Sequence, residues 1–442
     1  MSQNNTKRVT QPATINYFGN AWSSAAKEYE LSWYLCDTSL LCAATIGRTP
    51  ENYQELTVAI HAADRQRVLE EVVPRFQDLA NCVMSADNRI ITCTHPQSAE
   101  TVTLRIALLR PCSPEEAKTD ARLRVTHGQG ADAFSLPIDY PEPAQTVTLN
   151  GESYPTFTHY SAYLHERFLD YENCFEDPMG CNVSHEEKVE LHKHQQNCIE
   201  ALQFLEDLSR KYDLKYRLLA GSALGAVRHG GFIPWDDDID VGICVEDLPA
   251  FEEKIQEHLP DKFQLLRRQA GVYYPRMFTK ICCDNRCCID LFPLIPVPDQ
   301  GIRAKLSWFF GKFWRKLHYV KIGHCHDDDF RMKGISRFIG LFLSDECIMR
   351  MADRHDCRYA HKNAPYYVNM YSIYSRRTET AKAAWVQNPV RMTFAGIDVP
   401  VMGCTDDYLT HMYGNYMTMP FPWNRTHRHA ARFNTADMED FK

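Results

Sequence analysis

Apolar residues recur every three or four positions after Ser184, the spacing of an amphipathic helix. Ser184 and Glu187 also have the S-x-x-E form of a capping box, which is typical of a helix start. The apolar positions are Val189, Leu191, Ile199, Leu202, Leu205 and Leu208. The pattern predicts a long helix that ends near Asp213.

The pattern changes after this helix. The segment KYRLLAG predicts a strand that leads into Gly221, and LGAVRHG predicts a short helix. Alternation in IDVGICV and CIDLFPL then predicts two further strands. Because side chains two apart on a strand share a face, Asp238 and Asp240 are predicted to point together. Asp290 lies between two apolar residues of the other strand and would add a third carboxylate.

The same pattern of apolar residues is found 183 positions upstream, where LCDTSLL aligns without a gap on LAGSALG. A second block, around Gly151, aligns on the block around Gly396 at an offset of 245. The first copy does not keep the three aspartates. Opposite Asp238, Asp240 and Asp290 the gapless alignment has Glu55, Thr57 and Ala107.

These offsets predict the domain organisation. We expect a tail at 1–24, a degenerate and non-catalytic copy at 25–180, and a working copy at 184–442. The larger second offset predicts an insertion in the working copy at about 296–390. Sparse identities leave chance similarity as the alternative.

Composition narrows the class of protein. The chain has 442 residues, 44% of them hydrophobic, which is enough for a large core and more than one domain. Its net charge of -8 argues against a nucleic-acid partner. The N-terminal segment has no signal-peptide core and no apolar run spans a membrane, so we expect a cytoplasmic protein.

The 17 cysteines are expected to be free thiols in such a compartment. Their densest cluster is CCDNRCC, which contains Cys282, Cys283, Cys287 and Cys288. Four thiolates suit zinc, but adjacent pairs lack the C-x-x-C spacing of a zinc knuckle. We favour a β-hairpin that turns at Asp284 and Asn285, with a metal site as the alternative.

The carboxylates of Asp238, Asp240 and Asp290 are the strongest chemical signal in the chain. Oxygen ligands that converge beside a glycine-rich turn are typical of a site for Mg²⁺ or Mn²⁺. A solvated acidic loop would explain a bare run of aspartates. The flanking apolar residues and the separate Asp290 favour the metal site.

The stretch GSALGAVRHGGFIPWDDDID, from Gly221 to Asp240, resembles the signature of the LicD family, the fukutin-like branch of the nucleotidyltransferase-fold superfamily. CIDLFPLI resembles the later family element that contains the third acidic ligand, here Asp290, and YLTHMYGNYMTMPFP resembles the terminal one. The resemblance covers about residues 184–430. The chain departs from the family pattern at Ala223, Ile295 and Asn415.

The resemblance implies an α/β (α+β) fold with a nucleotidyltransferase-like mixed sheet and flanking helices, preceded here by the degenerate copy. It also implies transfer of a phospho-alcohol, such as phosphocholine, from a CDP-alcohol onto a cell-surface glycan precursor such as lipopolysaccharide or teichoic acid. Asp238, Asp240 and Asp290 are then the catalytic metal ligands. The partners would be the CDP-alcohol and a glycan or lipid-linked glycan acceptor.

The same resemblance suggests which residues bind substrate. Gly221 lets backbone approach a donor phosphate and Ser222 offers its hydroxyl, while cations bind phosphate charge. The predicted substrate-binding residues are Gly221, Ser222, Arg228, His229, Trp235, Lys280, Arg425, His427 and His429. A choline head would need an aromatic cage, for which the candidates are Trp235, Tyr273, Tyr274 and Trp423. Core packing explains each of these aromatic residues equally well.

The predicted insertion contains KLSWFFGKFWRKLHYVKIG, a basic stretch rich in aromatic residues. A helix of this kind suits the surface of an anionic membrane, and peripheral membrane contact is therefore expected. A packing helix with a basic solvent face is the alternative.

Two other functions stay open at this point. A nucleotidyltransferase would place a nucleoside monophosphate on its acceptor and release pyrophosphate. A non-catalytic binding or regulatory protein would need none of the three aspartates, which the second half retains.

Overall fold

The protein is described from a computed structural model. The described residues are 12–78, 81–84, 90–111, 122–126, 134–137, 144–168, 171–180, 185–267, 278–284, 286–299, 301–321, 342–372 and 374–425. The chain forms two compact units. The first comprises residues up to Ser184 together with Phe421–Arg425, and the second contains His185–Pro420.

Helices of the first unit flank its sheet. They are α1 (Pro12–Glu28), α2 (Asp37–Thr45), α3 (Arg65–Arg67), α4 (Val73–Gln77) and α5 (Tyr160–Arg167), with a 3-10 turn at Ala62–Asp64 and a π-helical turn at Val68–Val72. Helix α1 starts inside the predicted tail and buries Ile15, Phe18 and Trp22 in the core of this unit.

The strands of the first unit form a mixed sheet and a separate hairpin. They are β1 (Trp33–Leu35), β2 (Glu55–His61), β3 (Asn81–Met84), β4 (Ile90–Thr94), β5 (Thr101–Pro111), β6 (Arg122–Thr126), β7 (Phe134–Pro137), β8 (Gln145–Leu149) and β9 (Glu152–Thr156). The sheet order is β1-β2-β5-β4-β3, with β6 and β7 extending β5, and β8 pairs with β9. Only the β2/β5 pair is parallel among these described strands.

The second unit contains described helices before, within and after 296–390, the range of the predicted insertion. They are α6 (His185–Tyr212), α7 (Ala220–His229), α8 (Leu248–His258), α9 (Ile302–Lys321), α10 (Asp345–Asp356), α11 (Arg376–Glu379), α12 (Ala383–Gln387) and α13 (Thr405–Tyr413), with 3-10 turns at Cys357–Tyr359 and, in the segment that belongs to the first unit, Pro422–Asn424.

The sheet of the second unit has the order β12-β13-β14-β11-β10-β18-β17, with β15 and β16 extending β14. Its strands are β10 (Tyr216–Leu218), β11 (Ile239–Cys244), β12 (Gln264–Leu266), β13 (Thr279–Cys283), β14 (Arg286–Val297), β15 (Tyr366–Val368), β16 (Thr380–Lys382), β17 (Val390–Phe394) and β18 (Ile397–Val401). Parallel pairs join β11 to β14 and β10 to β18. The central strands β11 and β14 are buried over most of their length, which is typical of strands in a sheet that is covered on both faces.

The predicted fold class is confirmed, since helices flank sheets with mixed strand directions. Helix α6 matches the predicted long helix, although Ser184 of the capping box lies outside the described residues. Strand β11 begins at Ile239, so Asp238 directly precedes the strand. The cysteine-rich segment forms the β13/β14 hairpin, with Cys282 opposite Cys287.

Both sheets contain the same five-strand order, β1-β2-β5-β4-β3 and β10-β11-β14-β13-β12, in which the β2/β5 or β11/β14 pair is parallel and the other pairs are antiparallel. Leu35 pairs with Val58, and the positions 183 residues later, Leu218 and Val241, also pair. Duplication itself stays a prediction. The described helices include none long and apolar enough to cross a membrane.

Candidate functional site

Three acidic side chains meet near the start of β11, beside the parallel strand β14 of the second unit. Asp240 of β11 lies directly opposite Asp290 of β14, and Asp238 precedes β11 by one residue. Each can offer a carboxylate oxygen to a group whose oxygens lie within 4.8 Å of one another. The structure therefore brings together the three aspartates that the sequence predicts as metal ligands.

The glycine-serine turn lies against the same strand. The hydroxyl oxygen of Ser222 accepts a hydrogen bond from the backbone N–H of Asp240, at 2.8 Å. A Cβ atom at Gly221 would lie 3.0 Å from a carboxylate oxygen of Asp236, so a larger residue would press on the acidic loop. Gly221 and Ser222 thus lie beside the carboxylates, as predicted.

Burial makes the carboxylate cluster difficult to ionise. Burial raises the pKa of Asp240, and the charges of Asp238 and Asp290 raise it further. Burial and the neighbouring Asp238 likewise raise the pKa of Asp236. A hard divalent cation would relieve this repulsion, because its charge favours the ionised form of each oxygen ligand. The donor set therefore fits Mg²⁺ or Mn²⁺.

Lys280 lies in the cluster and is not a surface cation. It faces Asp290 across the β13/β14 pair, is 4% exposed and forms an ion pair with the Asp290 carboxylate. Burial alone would lower the Lys280 pKa, but the charges of Asp290 and Cys287 outweigh burial and raise it. The ammonium charge of Lys280 is thus directed at Asp290.

Helix α6 holds the acidic loop from behind. The side-chain amide of Gln195 donates to the backbone carbonyl oxygens of Asp236 and Pro234, at 2.8 and 3.3 Å. Sequence reasoning missed Gln195, because a polar residue on a predicted amphipathic helix has no distinguishing signal. The long helix therefore has a direct part in shaping the site.

Arg228, His229 and Trp235 lie on or near the glycine-rich segment. One guanidinium nitrogen of Arg228 donates to the backbone carbonyl oxygen of Tyr416, at 2.9 Å, and His229 ends α7. Trp235 is half-buried against the core of the second unit. The Arg228 bond joins the central motif to the terminal YLTHMYGNYM motif, in which Tyr416 lies.

The remaining predicted substrate-binding residues are not brought to this cluster by the described contacts. Arg425 donates to the backbone carbonyl oxygens of Asp177 and Pro178, and Trp423 is half-buried against the core of the first unit. The predicted residues His427, His429, Tyr273 and Tyr274 lie outside the described residues.

Other titratable residues around Asp240 were missed by sequence reasoning. Burial raises the pKa of Glu379 to about 7, and the charge of Glu379 contributes to the raised pKa of Asp240. The phenol oxygen of Tyr408 accepts the backbone N–H of Ala220, at 3.0 Å. Glu379 comes from the predicted insertion, where no motif marked it.

A buried histidine and two thiols form a separate group behind the loop. His194, Cys198 and Cys288 can offer ligand atoms within 4.8 Å of one another. Burial lowers the His194 pKa, and its Nε2 atom lies 2.8 Å from the carbonyl oxygen of Cys287, a contact that satisfies a core histidine. The described cysteines are free thiols.

Comparison with known proteins gives the geometry a context. Residues 213–330 match the family model described as LicD/FKTN/FKRP, nucleotidyltransferase domain. The lipopolysaccharide cholinephosphotransferase LicD of Haemophilus influenzae is 23% identical over 252 residues, which are 53% of this chain and 93% of that protein. The ribitol 5-phosphate transferases FKRP of mouse and human are 40% identical over 100 residues, 22% of this chain and 19% of each FKRP.

Proposed function

Because residues 213–330 form a LicD-family domain, we propose that this chain transfers a phospho-alcohol group, phosphocholine or a similar group, from a CDP-activated donor onto a glycan precursor. By their names, the LicD and FKRP relatives transfer different phospho-alcohol groups, phosphocholine and ribitol 5-phosphate. The observation that carries the proposal is the convergence of Asp238, Asp240 and Asp290 beside the Gly221–Ser222 turn. We place the reaction in the cytoplasm.

Asp238, Asp240 and Asp290 would hold the divalent cation, Mg²⁺ or Mn²⁺. When bound, such a cation offsets the charge of a diphosphate and of the phosphorus oxygens during transfer. The parallel β11 and β14 fix Asp240 and Asp290 on rigid backbone, which suits a site that must hold reactive groups in register.

The residues around the cluster have distinct parts in the proposed reaction. Gly221 leaves room for a donor phosphate, and the Ser222 hydroxyl is committed to the Asp240 backbone, which makes Ser222 a positioning residue. Lys280 holds Asp290 in place through their ion pair. Arg228 remains the candidate to bind donor phosphate, because a guanidinium can contact two phosphate oxygens at once.

We also propose that helix α9 contacts an anionic membrane, where a lipid-linked glycan acceptor would lie. The basic helix has an exposed apolar face, and Phe309 alone is 56% exposed. The residues of this face, spaced three or four apart, are Ile302, Leu306, Phe309 and Phe310. Arg303, Lys305 and Lys312 supply positive charge on the same helix, a combination typical of interfacial helices.

The products of the reaction test the proposal. The chain is incubated with Mg²⁺, a glycan acceptor extract and each of four donors, CDP-choline, CDP-ethanolamine, CDP-glycerol and CDP-ribitol, and released CMP is measured. Phospho-alcohol transfer predicts CMP from one donor. No CMP from any donor, with pyrophosphate released from a nucleoside triphosphate instead, would establish nucleotidyl transfer.

Two variants link that activity to the site. Asp240→Asn keeps the shape of the side chain and removes its charge, so it should reduce CMP release by about 100-fold or more. Asp247→Asn is the matched control, because Asp247 is exposed at the start of α8 and should retain full activity. Release of neither CMP nor pyrophosphate by the wild type would favour a binding protein.

A further inference from the structure

The first unit reproduces a serine contact of the candidate site without its three aspartates. The Ser39 hydroxyl oxygen accepts the backbone N–H of Thr57 at 2.9 Å. In the second unit Ser222, 183 positions later, accepts the N–H of Asp240 at 2.8 Å. Each serine follows the first strand of its sheet and accepts a hydrogen bond from the neighbouring strand. The two units therefore have the same backbone framework around the serine.

A tyrosine contact is also shared. The phenol oxygen of Tyr163 accepts the backbone N–H of Asp37 at 3.0 Å, and that of Tyr408 accepts the N–H of Ala220 at 3.0 Å. Asp37 and Ala220 both have positive φ, +50° and +42°. A strained backbone held by the same kind of partner in each unit indicates that the turn itself is equivalent.

The floor of the first cleft is filled by side chains. The hydroxyl of Thr38, which replaces Gly221, lies 2.8 Å from the phenol oxygen of Tyr53, which replaces Asp236. Tyr53 is buried, and burial raises its pKa, so it stays a neutral phenol. Where the second unit has Gly221 against the Asp236 carboxylate, the first has a hydrogen-bonded pair of side chains.

In the first unit an arginine side chain takes the place that Asp290 has in the acidic cluster. Strand pairing places Arg105 opposite Thr57, as it places Asp290 opposite Asp240. Arg105 forms an ion pair with Glu55 on the neighbouring strand. The gapless alignment placed Ala107 at the position of Asp290. The strand pairing moves this position by two residues, to Arg105. A guanidinium at this place disfavours a divalent cation.

Residues 421–425, which we call the clasp, cover Tyr53. The rings of Phe421 and Trp423 each lie 5.8 Å from the Tyr53 ring in edge-to-face geometry, and they stack on each other at 4.9 Å. Trp423 also meets Phe175 edge-on at 6.0 Å. Aromatic residues thus bind the clasp at the position that corresponds to the acidic loop of the second unit.

Polar contacts fix the other end of the clasp. Arg425 donates to the backbone carbonyl oxygens of Asp177 and Pro178, at 3.1 and 3.2 Å. Pro422 is buried, and its carbonyl oxygen lies so close to Gly180 that a Cβ atom there would be 2.1 Å away. Only glycine fits at position 180, which also has φ +77°.

We propose that the first unit is a docking module whose cleft, with its own cation and filled floor, binds the chain's own residues 421–425 in place of a nucleotide and metal. The clasp directly follows Pro420, which ends the part of the second unit that contains the YLTHMYGNYM motif. Docking of the clasp therefore anchors the C-terminal end of that motif. The comparison with a nucleotide and metal rests on the reaction proposed above, whereas the docking of residues 421–425 does not.

Hydrogen–deuterium exchange of the full chain tests the proposal. The amides of Asn424 and Arg425 donate to Phe421 and Pro422 and should exchange slowly in the wild type. Tyr53→Ala removes both ring contacts and should accelerate exchange of these amides about tenfold. Trp423→Ala, which changes the clasp and leaves the core of the first unit intact, should do the same.

Phe157→Ala is the matched control. Phe157 is a fully buried ring of the same unit, and its ring contacts are with Tyr34 and Tyr163, away from the clasp. It should leave exchange at residues 424 and 425 unchanged relative to the wild type. Unchanged exchange in Trp423→Ala, or equal acceleration by Phe157→Ala and Tyr53→Ala, would overturn the docking assignment.

Discussion

Asp240 and its neighbours illustrate how buried charge couples stability to a ligand at the scale of single residues. In the folded protein burial and the nearby carboxylates raise the pKa of Asp240 and Asp236. Between the ordinary carboxyl pKa and the raised one, the folded protein keeps protons that the unfolded chain has lost. The stability of the metal-free protein should therefore fall as the pH rises through that window.

The first prediction concerns this pH dependence. Each buried carboxyl contributes up to about 1.4 kcal/mol per pH unit in the window, and a bound cation removes the penalty. Saturating Mg²⁺ should raise the melting temperature more at about pH 8 than at about pH 5. Calorimetry with Mg²⁺ and with EDTA measures the difference. An equal rise at both pH values would show that the cation does not bind these carboxylates.

The second prediction concerns Lys280. Lys280→Met keeps most of the buried volume but leaves the Asp290 carboxylate without its ion-pair partner. Removing one member of a buried pair should lower the free energy of unfolding by about 3 kcal/mol in the absence of metal. Urea denaturation measures this loss, with the exposed Lys215→Met as the control. A loss equal to that of the control would contradict the buried pair.

The glycine-rich segment shows, at the scale of elements, why small residues recur in the motif. A Cβ atom at Gly225 in α7 would lie 2.4 Å from the backbone carbonyl oxygen of Gly231. Gly230 ends the helix with φ +67°, a left-handed conformation that favours glycine. The segment between α7 and the acidic loop can therefore fold back closely on the helix.

The third prediction follows from that close approach. Gly225→Ala should lower the free energy of unfolding by about 1–3 kcal/mol, because backbone must move to admit the methyl group. Gly301→Ala, at an exposed position before α9, should change it by less than about 0.5 kcal/mol. Urea denaturation of both variants provides the measurement. Similar values for the two would show that the turn tolerates a side chain.

The fourth prediction concerns the exposed face of α9. Replacing Phe309 and Phe310 with serine should weaken binding to vesicles that contain anionic phospholipid by roughly tenfold, since both rings lose burial in the interface. Val189→Ser, an exposed apolar change on α6, is the control. Vesicle sedimentation measures the bound fraction. Undiminished binding by the serine variant would exclude this face.

Elements were predictable where the local pattern is strong. The period of apolar residues predicts α6, and alternation predicts β11 and β14, because each buries its apolar side chains in a regular way. The predicted strand IDVGICV begins at Ile239, and β11 begins at the same residue, so Asp238 directly precedes the strand. Helix α1 was missed, although Ile15, Phe18, Trp22 and Ala26 recur at helical spacing in its sequence.

At the scale of the whole molecule, long-range contacts were beyond sequence reasoning. The carboxylate cluster was predictable because motif residues on adjacent strands converge. The strand register of the first unit was not predictable from the sequence. The gapless alignment therefore missed Arg105. The place of Trp423 and Arg425 in the first unit depends on contacts between residues more than 240 positions apart, which no local pattern encodes.

The central claim is that Asp238, Asp240 and Asp290 form a divalent-cation site in the second unit. Titration of the full chain with Mn²⁺, followed by electron paramagnetic resonance of the free ion, tests it most directly. The account predicts saturable binding that Asp240→Asn weakens by about tenfold or more, while Asp247→Asn leaves it unchanged. Equal Mn²⁺ affinity in the wild type and Asp240→Asn would contradict the claim.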